Sequence, residues 1–182
     1  VLFSDIVGFT QLSNTLRSQR IAELLDDYFE VMTQALFSNG GTVDKFMGDA
    51  VLALFGAPEF LSPDEQVTRA IAAARHMYKA LEELNQRWAD VPPVQFRCGI
   101  HQGTAVVGMF GSSKRADYTA IGPSVNMAAR LQEAADGKSI LVSATVADYL
   151  DKREIIQCHP LQLKGIDDTV LAFSVQTTLR HE

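Results

Sequence analysis

Residues 42–55, TVDKFMGDAVLALF, decide the fold class of this chain. Two runs with strand character, Thr42–Met47 and Ala50–Phe55, are separated by only Gly48 and Asp49. A two-residue connection that contains glycine is typical of a β-hairpin, in which the two strands pair antiparallel. A sheet that contains such a hairpin cannot be purely parallel. The stretch therefore predicts an α+β class, or an α/β class with a mixed sheet.

Helical patterns flank the hairpin on both sides, and a strand is predicted ahead of them at Val1–Val7. Upstream of the hairpin, apolar residues recur at three- and four-residue steps from Ile21 to Leu36, which marks one face of a helix. Residues 39–41, NGG, end that helix, because glycine tolerates the backbone of a helix C-terminus. Downstream, residues 62–65, SPDE, resemble a capping box, and the helix that they start buries a face from Val67 to Leu84.

The second half of the chain alternates short strands and helices. We expect Val94–Ile100 and Ala105–Phe110 to form a second hairpin with Gly103 near its turn. The remaining predicted elements are a strand at Tyr118–Ile121, a helix from Gly122 to about Ala135, a strand at Ser139–Val142, a short helix at Ala144–Leu150, and strands near Ile155–Leu163 and Val170–Val175.

The composition is that of an ordinary globular protein, and it limits the partners. The 182 residues carry a formal net charge of −6, and 47% of them are hydrophobic. This length suits one domain with its own core, so we expect residues 1–182 to form a single domain. The acidic balance argues against a nucleic-acid partner. The longest apolar runs are far shorter than the about 18–20 residues of a membrane span, so we expect no membrane segment.

Two further features bear on the cellular context. Cys98 and Cys158 lack the spacing of a metal site, so we expect reduced thiols in the cytoplasm. The chain opens on Val1, without Met, inside a predicted strand. We therefore expect it to be a domain excised from a larger multidomain protein.

Two carboxylates are candidates for chemistry. Asp5 interrupts an apolar strand, where a carboxylate must be paired, hydrogen-bonded or bound to a metal. Asp49 lies at the tip of the hairpin, where Gly-Asp is also a common turn pair. Carboxylates from adjacent strands suit Mg²⁺ or Mn²⁺, and such ions usually come with substrate phosphates.

Asn126 and Arg130 form a second candidate group. They are four residues apart on the predicted helix and so share one face. They are either a surface polar pair or a phosphate clamp, in which arginine supplies a fork of donors. The glycines form neither GxxxxGK[ST] nor GxGxxG, so a nucleotide would have to bind on another scaffold.

Four motifs carry a family resemblance. Residues 3–10, FSDIVGFT, resemble the metal-binding signature of the class III nucleotidyl cyclases, and residues 45–50, KFMGDA, resemble the second metal-and-base motif of that family. Residues 98–103, CGIHQG, and residues 121–130, IGPSVNMAAR, match two more. The motifs run in order across nearly the whole chain. It is most similar to soluble cyanobacterial-type adenylyl cyclases, the bicarbonate-responsive group.

The resemblance implies a fold and a reaction. The fold is α+β, a ferredoxin-like βαββαβ core with a mixed, mainly antiparallel sheet flanked by helices, plus extra C-terminal strands. The reaction converts ATP to 3′,5′-cyclic AMP and pyrophosphate by two-metal-ion catalysis. Two Mg²⁺ or Mn²⁺ ions would be held by Asp5, Asp49 and the backbone carbonyl of Ile6. The general base stays open between Asp5 and water.

The resemblance also assigns roles around the ribose and the phosphates. Asn126 would orient the ribose, and Arg130 would stabilise charge at the α-phosphate, so both are candidate catalytic residues. Lys164 resembles a family lysine near the terminal phosphates, and the alternative for it is a solvated lysine beside a turn. Some members carry a phosphate arginine where this chain has Thr104, and Arg97 is a candidate substitute.

The positions that select the base in this family match Lys45 and Thr119. Lysine only donates, which suits the acceptor N1 of adenine and not the N1–H of guanine. The Thr119 hydroxyl can accept from the adenine amino group or donate to guanine O6, so Lys45 decides and ATP is favoured. Threonine at this position resembles the bicarbonate-responsive group, so bicarbonate stimulation is a further expectation.

The family resemblance implies a homodimer. In the family, metal aspartates from one subunit meet base, ribose and arginine contacts from the other, so Asp49 and Lys45 would serve two different sites. Two alternatives to an adenylate cyclase stay open: a guanylate cyclase, and an inactive cyclase-like module that binds nucleotide and dimerises. We expect His101 to be a structural histidine, not a catalytic one.

Overall fold

Nine strands and five helices make up residues 1–178, the part of the chain that the computed structural model describes. In chain order they are β1 (Leu2–Ile6), α1 (Phe9–Thr15), α2 (Ser18–Ser38), β2 (Thr42–Met47), β3 (Ala50–Leu54), α3 (Pro63–Arg87), β4 (Phe96–Ile100), β5 (Val106–Ser112), β6 (Arg115–Ile121), α4 (Pro123–Ala134), β7 (Ile140–Ser143), α5 (Ala144–Ala147), β8 (Ile155–Leu161) and β9 (Val170–Val175).

The main sheet has seven strands in the order β2-β3-β1-β4-β7-β9-β8. The first four strands in this order, with the helices between them in the chain, form the predicted ferredoxin-like βαββαβ core. The last three are the predicted C-terminal strands. Pairing is antiparallel except between β4 and β7, which run parallel. The predicted α+β class with a mixed, mainly antiparallel sheet is therefore confirmed.

The predicted β2–β3 hairpin forms with Met47 paired to Ala50 across the loop. Gly48 has a φ of +64°, which is the left-handed region that L side chains rarely adopt. Glycine at the first loop position is the pattern of a type II′ turn, whose twist matches that of the strands. The pairing shifts by one residue between Val43 and Lys45, so Asp44 is the extra residue of a β-bulge.

The two faces of the main sheet carry different helices, and this determines where polar residues of β1 and β4 point. Alternate residues of β1 and β4, including Ile6 and Phe96, join the core cluster under α2 and α3. Asp5 and Arg97 lie on the opposite face, which α4 covers through Leu131 and Ala135. A carboxylate and a guanidinium thus come to lie beside the helix that carries the candidate phosphate clamp.

The helix boundaries follow the predicted capping signals. The Ser62 side chain accepts a hydrogen bond from the Glu65 amide, and the Glu65 carboxylate accepts one from the Ser62 amide, which completes the predicted capping box. At the end of α2, the Gly41 amide donates to the Leu36 carbonyl and Gly40 has a φ of +75°. Over residues 1–178, none of the helices combines the length and the apolar character needed to cross a bilayer.

The predicted hairpin between Val94–Ile100 and Ala105–Phe110 is wrong. Strand β4 pairs with β1 on one side and with β7 on the other, so both of its edges are occupied. Strand β5 instead pairs with β6 in a separate two-stranded sheet, the β5–β6 ribbon. Burial agrees with this difference, because four of the five residues of β4 are buried whereas four of the seven residues of β5 are exposed and none is buried.

Gly99 sets the distance between β4 and α4. A Cβ added at this residue would clash with the backbone nitrogen of Gln132 and would lie 2.5 Å from the Ala128 carbonyl oxygen. These obstacles are helix backbone, which cannot rotate aside as a side chain does. The close approach brings α4 against the strand that carries Arg97.

We expect Gly99→Ala to destabilise the domain by about 1–3 kcal/mol, because α4 must move away from β4 to admit the methyl group. The free energy of unfolding, measured by urea denaturation, tests this. Gly108→Ala in β5 is the matched control, since the nearest atom to its added Cβ is Phe110 Cε2 at 3.9 Å. Equal stability of the two variants would contradict the packing argument.

Candidate active site

The two predicted metal-binding aspartates lie side by side at the ends of paired strands. Asp5 is near the end of β1. Asp49 lies close to it because the antiparallel pairing of β3 with β1 brings the hairpin loop to that end of the strand. The backbone amide of Ile6 donates to Asp49 Oδ2 at 3.0 Å. The hairpin loop is therefore fixed to the end of β1 through the carboxylate itself. The structure brings together all three predicted metal-binding residues.

Arg97 faces Asp5 directly across the β1–β4 pair. Its Nε and Nη2 donate to the two carboxylate oxygens of Asp5 at 3.1 and 2.9 Å, and its Nη1 donates to the Glu133 carbonyl at 3.2 Å. Bidentate arginine–carboxylate pairs have strong geometric preferences, so Arg97 orients Asp5 and ties it to α4. The sequence suggested Arg97 as a phosphate ligand, whereas here its fork is occupied by Asp5.

The electrostatics of Asp5 and Asp49, which we call the acid pair, disfavour two bare carboxylates. Burial raises the pKa of the Asp49 carboxyl above its ordinary value, and repulsion from the Asp5 carboxylate raises it further. The Ile6 amide and the Arg97 guanidinium act in the opposite direction without cancelling the effect. A cation bound between the two carboxylates would lower the free-energy cost of ionising Asp49.

The donor set fits a hard divalent cation that is completed by its substrate. No cluster of three or more His, Cys, Asp and Glu side chains able to hold a metal occurs between residues 1 and 178. Asp5 and Asp49 supply two carboxylates, and the backbone carbonyl of Ile6, the residue after Asp5, is the third candidate ligand. Mg²⁺ typically takes one or two carboxylates and fills its remaining positions with water and substrate phosphates.

The two predicted base-selecting residues meet at a third, which the sequence interpretation missed. Asp44 Oδ2 accepts hydrogen bonds from Thr119 Oγ1 at 2.7 Å and from the Ala120 amide at 3.1 Å. Asp44 Oδ1 lies 3.5 Å from Lys45 Nζ. We call Asp44, Lys45 and Thr119 the base cluster. A carboxylate inside a predicted strand was the available signal, the same signal that drew attention to Asp5.

The predicted phosphate clamp lies on α4. Pro123 occupies the first turn of this helix, and Asn126 is exposed one turn further on. Arg130 Nη1 donates to both carboxylate oxygens of Glu133, each at 2.8 Å. Glu133 is a second residue that the sequence interpretation missed. It contacts Arg130 with its side chain and Arg97 with its carbonyl, so it links the clamp to the acid pair.

The remaining predicted residues lie apart from these groups. Lys164 is exposed in the β8–β9 loop and forms no ion pair within residues 1–178. His101 contacts Ser143 Oγ at 2.9 Å through Nδ1, and burial lowers its pKa to about 4. A neutral, hydrogen-bonded His101 agrees with the predicted structural role. Both cysteines are free thiols, Cys98 buried and Cys158 exposed.

Comparison with known proteins agrees with this geometry. The sequence profile of the family described as "Adenylate and Guanylate cyclase catalytic domain" matches residues 1–176. The chain belongs to this family. The class III cyclase catalytic domain that the motifs predicted is therefore confirmed, and with it the enzyme class.

Curated relatives of the cyclase domain include adenylate cyclases from two bacteria. Adenylate cyclase 1 of Rhizobium meliloti is 33% identical over 164 residues, which cover 88% of this chain and 24% of that protein. The adenylate cyclase of Anabaena cylindrica is 31% identical over 188 residues, which cover 97% of this chain and 36% of that protein. The chain thus spans about a quarter of the length of the first relative and a little over a third of the second.

Solved structures similar to the cyclase domain include enzymes of both nucleotide types. The adenylyl cyclase CyaB from P. aeruginosa has a TM-score of 0.91 and 34% identity, covering 98% of this chain and 93% of that one. The guanylyl cyclase Cya2 has a TM-score of 0.89 and 36% identity, covering 96% and 89%. Because both likenesses are equally strong, overall similarity does not select between ATP and GTP.

We expect Asp49→Asn to stabilise the metal-free cyclase domain at pH 7. The pKa of Asp49 is raised by folding, so ionisation at neutral pH opposes folding. The gain is at most about 1 kcal/mol, because the carboxylate is partly screened by solvent. This gain in stability should be complete above the pKa of Asp49 in the folded state, and it should vanish below the pKa of about 4 in the unfolded state. Thermal unfolding across pH 3–8 measures it.

The same melting experiment with Mn²⁺ added separates a metal site from simple repulsion. Mn²⁺ should raise the melting temperature of the wild type and leave that of Asp49→Asn unchanged. Asp117→Asn is the control, because the Asp117 side chain is 64% exposed and lies outside the acid pair. An Asp49→Asn variant that melts below the wild type at pH 7, or that Mn²⁺ stabilises equally, would contradict the assignment.

Proposed function

We propose that this domain converts ATP to 3′,5′-cyclic AMP and pyrophosphate. The observation that carries the proposal is the base cluster, in which Lys45 and Thr119, from distant parts of the chain, share the Asp44 carboxylate. Lys45 offers only donors, which adenine N1 accepts and guanine N1–H does not. Leaving a buried donor unpaired costs about 1–3 kcal/mol, which corresponds to a roughly tenfold to hundredfold preference for ATP.

The acid pair and α4 support the chemistry. Two Mg²⁺ or Mn²⁺ ions at Asp5, Asp49 and the Ile6 carbonyl would supply positive charge to the triphosphate and favour ionisation of the ribose 3′-hydroxyl. Asn126 would hold the ribose so that this hydroxyl lies in line with the α-phosphorus. Arg130 would stabilise negative charge that develops at the α-phosphate. Lys164 is proposed to contact the terminal phosphates, and the general base is Asp5 or water.

The half-sites of one chain support a homodimer with shared sites. Strand β2, which carries Lys45, is an edge strand, and β3 separates it from β1, a distance of about 10 Å. No hydrogen bond or ion pair within residues 1–178 joins the base cluster to Asp5, Asp49 or Arg97. A head-to-tail pair would bring the acid pair of one copy to the base cluster of the other.

Exposed apolar side chains also support an interface at this edge. Several large hydrophobic residues beside the base cluster face solvent in the single chain, and a contiguous apolar surface marks an interaction site. They lie on β2 and on the β5–β6 ribbon: Phe46, Met47, Val106, Met109 and Ile121.

The likeness to the guanylyl cyclase Cya2 favours GTP as a second candidate substrate. Lys45 argues against it, because two donors would then face each other at the guanine N1–H. Bicarbonate stimulation remains part of the proposal and rests on Thr119 alone. We place the activity in the cytoplasm, which suits an ATP substrate and free cysteine thiols.

Incubation of the purified domain with Mn²⁺ and either ATP or GTP should yield cyclic AMP at least about tenfold faster than cyclic GTP. Chromatographic quantification of both products gives the two rates. Asp49→Ala should abolish both while preserving the circular dichroism spectrum. Absence of both products, at concentrations where the domain is dimeric, would refute the proposed reaction. A higher yield of cyclic GTP than of cyclic AMP would show that GTP, and not ATP, is the preferred substrate.

Mixing two inactive variants tests the shared site. An Asp5→Ala chain and an Arg130→Ala chain each lack one half-site, and a heterodimer of the two regains one intact site. Random mixing should restore about a quarter of wild-type activity, because half the dimers are heterodimers with one of two sites intact. Mixing Asp5→Ala with Asp49→Ala is the control and should restore none. Equal activity in both mixtures would exclude head-to-tail sharing.

A further inference from the structure

We infer that Asp44 is a positioning residue that sets the base preference of this site by fixing Lys45 and the hydroxyl of Thr119. The inference rests on the proposed nucleotide cyclase function and adds a residue that determines its substrate. It comes from the contacts of the base cluster, since neither the motifs nor the likeness to relatives assigns Asp44 a role.

The backbone directs the Asp44 side chain inward. Asp44 is the extra residue of the β2 bulge, where the pairing with β3 shifts by one position. A bulge redirects a side chain without interrupting the strand. Here it turns the carboxylate toward β6, and the side chain has 0% exposure although β2 is an edge strand. A buried carboxylate at an edge strand requires partners that balance its charge.

Those partners are the two base-selecting residues and one amide. Oδ2 receives the Thr119 hydroxyl at 2.7 Å and the Ala120 amide at 3.1 Å, and Oδ1 lies 3.5 Å from Lys45 Nζ. Lys45 is the one cation that pairs with Asp44 within residues 1–178. The carboxylate therefore joins β2 to β6 and holds both base-selecting groups on one anchor.

The Asp44 contact decides what the Thr119 hydroxyl presents to a ligand. The hydroxyl has one proton and two neighbouring acceptors, Asp44 Oδ2 at 2.7 Å and the Ala120 carbonyl at 3.5 Å. The closer, charged oxygen takes the proton, since charge-assisted hydrogen bonds are about twice as strong as neutral ones. Thr119 is then left with lone pairs only. Those accept from the 6-amino group of adenine and repel O6 of guanine.

Asp44 acts on Lys45 in the same sense. The ion pair holds the ammonium at the cluster while 38% of the Lys45 side chain stays exposed. Asp44 Oδ1 accepts no hydrogen bond within residues 1–178, so the three N–H donors of the Lys45 ammonium remain for a ligand. Lys45 thus presents a donor and Thr119 an acceptor, which matches N1 and the amino group of adenine. Guanine presents the opposite pattern at both positions.

The experiment measures kcat/KM for ATP and for GTP in the wild type, Asp44→Ala, Thr119→Val and the double variant. Asp44→Ala should lower the ratio of kcat/KM for ATP to kcat/KM for GTP about tenfold or more. The reason is that kcat/KM falls for ATP but not for GTP. Thr119→Val should lower the ratio in the wild-type background. It should lower it far less beside Asp44→Ala, because both changes remove the same fixed acceptor.

A conservative variant covers the risk that Asp44→Ala fails to fold. Asp44→Asn keeps an oxygen for the Ala120 amide and Thr119 but loses the charge that attracts Lys45, so an intermediate fall in the ratio is expected. Asp117→Ala, on the exposed part of β6, is the matched control and should leave the ratio unchanged. Circular dichroism and the melting temperature verify that each variant is folded.

Binding of fluorescent ATP and GTP analogues gives a readout that does not need turnover. A wild type that binds ATP more tightly but forms no cyclic product would refute the proposed function, and its binding ratio in Asp44→Ala and Asp44→Asn would still test this inference. An unchanged ratio in folded Asp44 variants would overturn the inference. An equal loss with both nucleotides would also overturn it, since a merely structural role predicts that result.

Discussion

The antiparallel pairing of β1 with β3 is the constraint on which the acid pair depends. It carries the hairpin loop to the end of β1, where the Ile6 amide donates to the Asp49 carboxylate. A slip of one residue in this register would turn Asp5 into the core under α2 and α3, because strand side chains alternate between faces. The same alternation lets Arg97 face Asp5 from β4 on the side of α4.

The acid pair illustrates a conflict between stability and function. Burial raises the pKa of the Asp49 carboxyl, and repulsion from the Asp5 carboxylate raises it further, so ionised Asp49 costs folding free energy in the absence of a cation. Arg97 relieves part of that cost at Asp5, and its contact with the Glu133 carbonyl couples the relief to α4. In a domain with a net charge of −6, both arginines beside the acid pair, Arg97 and Arg130, are already paired with carboxylates.

The base cluster depends on a different device, a single extra residue in an edge strand. The β2 bulge turns Asp44 inward, and the buried carboxylate collects Thr119 from β6 and Lys45 from its own strand. The β5–β6 ribbon makes this possible because it leaves the main sheet and packs beside β2 instead. The exposed apolar residues of this edge then favour a partner that completes the site from the other side.

The local sequence determined the elements and the class. The Gly48-Asp49 loop predicted the hairpin, the 62–65 capping box predicted the start of α3, and ordered motifs predicted the family and the residues of the acid pair. These signals depend on neighbours in the chain, such as turn geometry, capping and alternation. They can therefore be recognised in the amino-acid sequence alone.

Tertiary structure alone decided which strands share an edge and which polar groups meet. The sequence predicted that β4 pairs with the next strand, β5. In the structure β4 is a buried central strand that pairs with β1 on one side and with β7 on the other. The contacts of Asp44 with Thr119 and of Glu133 with Arg97 join residues whose meeting depends on sheet order and helix packing. No periodicity encodes such meetings, because a bulge and a close helix approach are properties of the packed chain.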